Sequence, residues 1–174
     1  INLLPSVQLQ YQIQANTDLR SNYGRGMPRP NFQDIVPTQQ IDPNTSIPSI
    51  VKDNPALVAT KANNYDIFVE HFFSGLGVAQ VGFFYKALTD PIYNTTTTLT
   101  SGQFSGYQVK QSVNGPSAHI AGIELAYQQR LSFLPSLFSG IGVNGNYSYT
   151  TSQVVFPDAF GRTDSAALLR QAPN

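Results

Sequence analysis

Few residues in this sequence have side chains suited to acid–base, nucleophilic or metal-binding chemistry. The sequence contains two histidines, His71 and His119, and no cysteine. A disulfide scaffold, a thiolate nucleophile and a cysteine zinc site are therefore excluded. Glu70 and Glu124 could be the acid and base of a glycosidase, but no phosphate-binding glycine loop, serine–histidine–acid set or zinc motif accompanies them. We predict that the protein is not an enzyme and that it holds no metal or cofactor.

A second group of residues could bind a ligand from proline-rich or threonine-rich segments. Arg25 and Arg29 lie in the sequence RGMPRPN, where a rigid cationic loop could bind an anionic chelate through charge-assisted hydrogen bonds. Tyr93, Phe104 and Tyr107 flank the run of threonines at positions 95–98 and could contact a ligand such as a glycan. Two structural alternatives stay open: the arginine segment could be only a turn, and the threonine-rich segment only a flexible, solvated loop.

The elements that must position these residues are alternating strands. In Asn63–Lys86, apolar residues such as Ile67, Val69 and Val81 hold the odd positions, and a short glycine-containing link joins two runs. Successive strand side chains point to opposite faces, so this pattern predicts a β-hairpin with one apolar face. The same pattern predicts strands in four further segments: 6–14, 18–24, 120–128 and 141–149. The final residues, 166–174, are predicted to lead into another strand.

The charged residues of these strands all have even numbers, and they are predicted to share one face. They are Asp18, Arg20, Asp66, Glu70, Lys86 and Glu124. If the even face lines a wet interior, these charges could contact a passing substrate or a plug, or they could simply be solvated and ion-paired. His71 falls on the odd, apolar face, where an interfacial role is favoured over metal ligation.

The connections between the predicted strands alternate strictly between short and long. Residues 25–61, which hold six of the 12 prolines, form a long connection in which we expect neither a central strand nor a helix. Residues 88–116 form another, with a β-ribbon expected around residues 107–113, and residues 150–165 a third. All short turns then lie at one end of the strands and all long loops at the other, an arrangement typical of outer-membrane β-barrels.

Composition distinguishes two kinds of all-β protein. Charged residues make up 11% of the chain, against about 25% in soluble domains, so much of the surface is expected to avoid water. Aromatic residues fall at the predicted strand ends, where membrane-interface girdles lie; they are Tyr23, Phe73, Tyr85, Phe133, Phe138 and Tyr149. The formal net charge is zero, so the overall charge of the chain gives no reason to expect nucleic-acid binding. We favour an antiparallel up-and-down transmembrane β-barrel segment, with a soluble β-sandwich as the alternative.

Five segments in succession resemble the barrel of TonB-dependent outer-membrane receptors. They read SNYGRGMPRPNFQDIVP, DNPALVATKANNYDIFVEHFF, GVAQVGFFYKALTDPIY, GPSAHIAGIELAYQQRLSFLP and GRTDSAALLRQAPN. The resemblance covers nearly the whole chain. It implies that residues 1–174 supply roughly the last third of a barrel of about 22 strands, without the plug domain, the TonB box or the final strands.

What the resemblance implies about function is uptake of a scarce, bulky nutrient across the outer membrane of a Gram-negative bacterium. Ferric siderophores, cobalamin and oligosaccharides are the expected substrate classes. The expected partners are outer-membrane lipid, the small-molecule or glycan ligand, and TonB acting through the plug, with no nucleic acid. The even-face residues Arg20, Asp66, Glu70, Lys86 and Glu124 would then face the lumen. Alternatives are a secreted β-sandwich that binds carbohydrate, and a passive porin or adhesin barrel.

Overall fold

A computed structural model describes residues 2–74, 76–135, 138–155 and 163–164. It contains eleven strands and one short helix in the described residues. In chain order they are β1 (Ser6–Gln14), β2 (Thr17–Gly26), α1 (Phe32–Ile35), β3 (Gln39–Asp42), β4 (Ser49–Lys52), β5 (Lys61–Phe73), β6 (Gly77–Thr89), β7 (Ile92–Thr98), β8 (Gln108–Asn114), β9 (Ser117–Arg130), β10 (Gly142–Val155) and β11 (Thr163–Asp164). No helix in the described residues reaches the length and hydropathy needed to cross a membrane.

Seven strands form one sheet, which we call the wall. Its order is β1-β2-β5-β6-β9-β10-β11, and every pair in it is antiparallel. Successive wall strands are neighbours, so the predicted up-and-down pattern is confirmed. The ends of β1, β5 and β9 and the starts of β2, β6 and β10 lie at what we call the short-turn end. The opposite, long-connection end carries the links between β2 and β5 and between β6 and β9.

The wall keeps the same residue parity on each face from β1 to β10. One row of directly opposed residues runs Leu9, Ser21, Ile67, Phe83, Ile123 and Tyr149. Residues directly opposite each other in an antiparallel pair point to the same face. The odd-numbered residues of these strands therefore share one face and the even-numbered residues the other, as the sequence predicts, except at Gln14, where a register shift at the end of β1 places it opposite Thr17.

The wall strands are longer than the alternating segments that predicted them. β5 and β6 have 13 residues each, and β9 and β10 have 14 each. The prediction of a loop at residues 150–165 is wrong for residues 150–155, which continue β10, and for residues 163–164, which form β11. Tyr149 is therefore not at a strand end. Some of the extra residues, such as Ser152 and Gln153, are polar, and they still pair because ladder bonds use only the backbone. The predicted strand at residues 166–174 lies outside the described residues.

The two long connections form a second sheet, which we call the loop sheet. Its order is β3-β4-β8-β7, and the central pair, β4 and β8, is parallel. The expectation that residues 25–61 hold neither a central strand nor a helix is wrong, since α1 lies there and β4 is an inner strand of the loop sheet, with β3 at its edge. The prolines at 37, 43, 48 and 55 stand between these elements and remove no ladder donor from them. The predicted ribbon of the second connection is confirmed as β7 and β8. The threonine run at positions 95–98 belongs to β7, so the expectation of a flexible loop there is wrong.

The buried apolar residues gather at the long-connection end. They are Ile50, Leu57, Ala62, Ala118, Ile120 and Val154. Four of them lie at the ends of β5, β9 and β10, and two lie in the first long connection. By contrast, large apolar side chains in the middle of the wall are solvent-exposed; Leu9 is 66% exposed and Phe83 is 52% exposed. A contiguous apolar surface of this kind marks contact with another protein or with a membrane.

Candidate functional site

The odd face of the wall carries aromatic rows at two levels. Towards the long-connection end, Tyr65 lies 5.2 Å from Tyr23 and 6.4 Å from Tyr85, measured between ring centroids. His119 stacks on Tyr85 at 6.0 Å and extends this upper row. Near the short turns, Phe73 contacts His71 at 4.8 Å and Tyr127 at 6.0 Å.

The two aromatic rows bound a band of aliphatic residues. It includes Leu19, Ile67, Val69, Val81, Ile123 and Leu125. From Tyr65 to Phe73 there are eight residues, or about 26 Å along a strand at about 3.3 Å per residue. A strand tilt of about 40° reduces this height to about 20 Å, close to the apolar band of about 25 Å in transmembrane barrels.

The even face of the wall is polar and carries an ion pair. The Nε atom of Arg20 lies 3.0 Å from Oε2 of Glu70, and the Glu70 side chain is only 15% exposed. Gln10 Nε2 donates a hydrogen bond of 2.8 Å to Asp18 Oδ2. Asp18 lies directly opposite Glu70, so two carboxylates share one end of this face with a single arginine. The described residues contain no group of three or more metal-ligating side chains arranged to hold an ion.

Phenylalanine rings on the even face lie flat over glycines of the neighbouring strand. Phe68 is opposite Gly82, and a Cβ atom added to Gly82 would lie 2.5 Å from its ring. Phe84 is likewise opposite Gly122, where an added Cβ would meet both the ring and the Tyr149 carbonyl oxygen at 2.5 Å. Covering a strand glycine with an aromatic ring is a recognised device for fixing register in curved sheets. These glycines therefore place the rings close against the wall.

A family model described as TonB dependent receptor-like β-barrel matches residues 2–172. The chain belongs to the TonB-dependent receptor β-barrel family. This is a family of transport receptors rather than enzymes, and its members are outer-membrane proteins of Gram-negative bacteria. A comparison with curated protein sequences gives no match.

Solved TonB-dependent receptors share the fold of this chain. A mutant of the ferric enterobactin receptor PfeA from Pseudomonas aeruginosa matches with a TM-score of 0.64 at 18% identity, over 89% of this chain and 25% of that one. Another PfeA mutant, in complex with enterobactin, matches with a TM-score of 0.62 at 17% identity, over 88% and 26%. The siderophore receptor PirA from the same organism gives a TM-score of 0.64 at 16% identity, over 91% and 31%. The chain spans about a quarter to a third of the length of these receptors.

The five predicted lumen residues of this receptor barrel all lie on the even face, but only some of them meet. Arg20 and Glu70 form the ion pair described above. Asp66 and Lys86 line one cavity of about 460 Å³, together with Asn22 and Asn64, and the Lys86 Nζ atom lies 5.8 Å from the Phe84 ring centroid. Glu124 is set apart, on β9, opposite Gly82 and Ser148.

The five predicted loop residues are not brought together at one site in the described structure. Arg25 belongs to β2 and has an odd number, so it lies on the odd face, two residues beyond Tyr23. Arg29 lines a cavity of about 470 Å³ with apolar walls that include Leu88 and Ile120. Tyr93 lies in β7, where burial raises the pKa of its phenol above the usual range. Phe104 and Tyr107 contact each other edge to face at 5.3 Å in the link between β7 and β8.

Polar side chains that the sequence analysis did not single out hold the two long connections together. Asn114 Oδ1 accepts a hydrogen bond from the Val58 amide at 2.9 Å, and Asn114 Nδ2 donates to the carbonyl oxygens of Val58 at 3.0 Å and Asp90 at 2.8 Å. Thr60 Oγ1 donates to Asp90 O at 3.0 Å, and Asn54 Nδ2 to Ser112 O at 3.0 Å. Ser112 lies 58 residues from Asn54, and Val58 lies 56 residues from Asn114, so no local pattern indicates these two pairs.

Proposed function

We propose that this chain is part of an outer-membrane receptor that takes up a scarce, bulky nutrient with energy supplied through TonB. The observation that carries the proposal is the family match over residues 2–172. A ferric siderophore is the first substrate class to test, because the similar solved structures are siderophore receptors. Cobalamin and oligosaccharides are the other substrate classes. The chain would supply one portion of the barrel, and the rest of the receptor would supply the plug and the remaining strands.

The two faces of the wall support a membrane orientation for this barrel. The odd face would contact lipid, because its exposed aliphatic band lies between two aromatic rows. The even face would line the lumen, because a charge facing lipid near the midplane costs about 2–4 kcal/mol. Arg20, Asp66, Glu70, Lys86 and Glu124 would then meet water, the plug or the passing substrate.

The loop sheet would lie outside the cell, since the long connections of such barrels are extracellular. Arg29, Tyr93, Phe104 and Tyr107 are the residues of this sheet and its links that we propose for ligand contact. Arg29 offers a cation to a cavity that it lines together with apolar residues and Asp34, and its guanidinium group could bind an anionic ligand through charge-assisted hydrogen bonds. Arg25 lies apart from these residues, on the odd face of β2.

Uptake of a radiolabelled ferric siderophore tests the proposed transport. The complete gene would be expressed in a Gram-negative host that lacks its own siderophore receptors, with and without a functional TonB. We expect accumulation of ferric enterobactin or another ferric chelate only where TonB is functional. Equal accumulation without TonB would indicate a passive porin. A product that stays soluble without detergent would support the β-sandwich instead.

A further inference from the structure

The odd face of the wall changes character at the upper aromatic row, formed by Tyr23, Tyr65, Tyr85 and His119. Below this row the face is aliphatic and aromatic. Beyond it, towards the long connections, most odd positions are polar or cationic, and Ala87 and Val155 are the apolar ones; the polar and cationic residues are Arg25, Lys61, Asn63, Thr89, Ser117 and Gln153. Tyrosine rings collect at the headgroup level of a membrane. The polar band beyond the row therefore lies where lipid headgroups would lie.

Two cations in this polar band stand on neighbouring strands. Arg25, at the end of β2, lies opposite Asn63 of β5, and Lys61 follows two residues away along β5 on the same face. Arg25 and Lys61 line one cavity of about 380 Å³. In the described wall strands the odd face carries no acidic residue, whereas all the acidic wall residues are on the even face. The outward charge of this part of the wall is therefore positive.

Both cations are accessible to a ligand. Arg25 is exposed and makes no ion pair within the described residues. Lys61 Nζ lies 3.6 Å from Asp90 Oδ2, but the Lys61 side chain is 48% exposed and Asp90 33% exposed. An exposed pair of this kind is weak, so the ammonium group can still bind an anion.

The surroundings of the cation pair favour an amphiphilic anion. Leu3 and Leu4 also line the cavity, and they are 75% and 52% exposed. A free inorganic anion would make no use of these apolar side chains, whereas a lipid could place its headgroup on the cations and an acyl chain against them. Arginine binds phosphate in a bidentate manner, and lysine binds it as a point charge.

We propose that Arg25 and Lys61 form a binding site for the phosphate group of a membrane lipid in the leaflet around the long-connection end of the barrel. The inference rests on the proposed function, because it takes the odd face to be the lipid face. The site would fix the height of the barrel in the membrane next to the ligand-binding loops. Its ligand is a phosphorylated lipid rather than a transported substrate.

Native mass spectrometry of the complete gene product, purified in detergent, would test the site. The probe is lipid A carrying its phosphate groups, and comparison arms use dephosphorylated lipid A and inorganic phosphate as a competitor. A cation near a charged lipid surface contributes about fivefold to affinity, so we expect the double variant R25Q/K61Q to bind lipid A about 20-fold more weakly. The matched control K52Q/K110Q removes two cations from the loop sheet and should bind like the wild type.

A variant expected to bind lipid A more tightly complements R25Q/K61Q, which is expected to bind it more weakly. D90N removes the acid beside Lys61 while asparagine tolerates the positive φ of 57° at this position, and it should tighten lipid A binding severalfold. Unchanged binding in R25Q/K61Q, or equal binding of dephosphorylated lipid A, would overturn the proposal. Competition by millimolar inorganic phosphate that abolishes lipid A binding would show a free-anion site instead. The TonB-dependent uptake assay on the wild type reports separately on the proposed transport function.

Discussion

Replacing Asn114 by alanine should loosen the loop sheet without opening the wall. The side chain makes three hydrogen bonds to backbone groups, two with Val58 and one with Asp90. Each bond contributes about 0.5–1.5 kcal/mol net, and the lower half of that range applies to a half-exposed side chain. The loss is therefore about 1.5–3 kcal/mol of local stability, or roughly a 10- to 100-fold increase in the opening equilibrium.

Hydrogen–deuterium exchange with mass spectrometry measures this opening peptide by peptide. With the complete gene product in detergent, peptides from residues 39–60 and 92–114 should exchange about 10- to 100-fold faster in N114A. Peptides from residues 62–73 of the wall should exchange at the wild-type rate. N114D should behave like N114A or worse, because it replaces an amide donor with an oxygen that faces the carbonyl oxygens of Val58 and Asp90.

The control for N114A is N94A. Asn94 belongs to the same sheet, but it accepts one hydrogen bond, of 2.8 Å, from Ser112 Oγ, within a single connection. N94A should speed exchange by severalfold at most, and only in β7 and β8. If N114A leaves residues 39–60 unchanged, the two connections are not joined through this side chain. If the wall exchanges faster as well, the two sheets unfold as one unit, and the loop sheet does not open independently of the wall.

Three further predictions test the wall and the loop sheet. V81K, on the apolar face, should cost about 2–4 kcal/mol and slow membrane insertion, while the adjacent Q80K, at the same depth on the polar face, should insert normally; equal insertion into lipid vesicles would contradict the assignment of faces. G82A should lower the temperature at which the barrel loses its heat-resistant band in gel electrophoresis, since overpacking costs about 1–3 kcal/mol, whereas G24A, with nothing within 4 Å of the added Cβ, should not. Burial raises the pKa of Tyr93, so the folded protein holds the phenol proton more tightly than the unfolded chain does. The resulting contribution of Tyr93 to the free energy of unfolding is fully present below a pH of about 10 and is lost as pH rises through the folded pKa. Circular-dichroism melts of wild type and Y93F between pH 8 and 11 should differ in this slope, and parallel slopes would refute it.

The sequence predicted the wall well because its signal is local. Alternation with a period of two places Leu9, Ile67 and Phe83 on one face whatever their partners are, and the observed register keeps that parity in every neighbouring strand. The sequence also predicted two members of the upper aromatic row, since Tyr23 and Tyr85 lie at the ends of alternating apolar runs. Where alternation stopped, as at Tyr149, the prediction ended the strand six residues early, because backbone pairing does not require apolar side chains.

The long connections were misjudged because their order arises from non-local pairing. Prolines in residues 25–61 exclude a long central strand, yet they leave room for β3 and β4, each only four residues long. The β4–β8 ladder joins residues about 60 positions apart, such as Ile50 and Val109. No short turn joins a parallel pair of this kind, so no local sequence pattern predicts that β4 and β8 are neighbours.

The sequence by itself determined that this chain forms antiparallel strands with one apolar and one polar face, since side-chain alternation is a property of each strand alone. It also determined which charges share a face. Only the tertiary structure decided which of those charges meet, because Arg20 and Glu70 approach through the register of two strands separated by a long connection. Only the tertiary structure, likewise, showed that Arg25 is a strand residue of β2 that lies near Lys61 of β5 on the odd face.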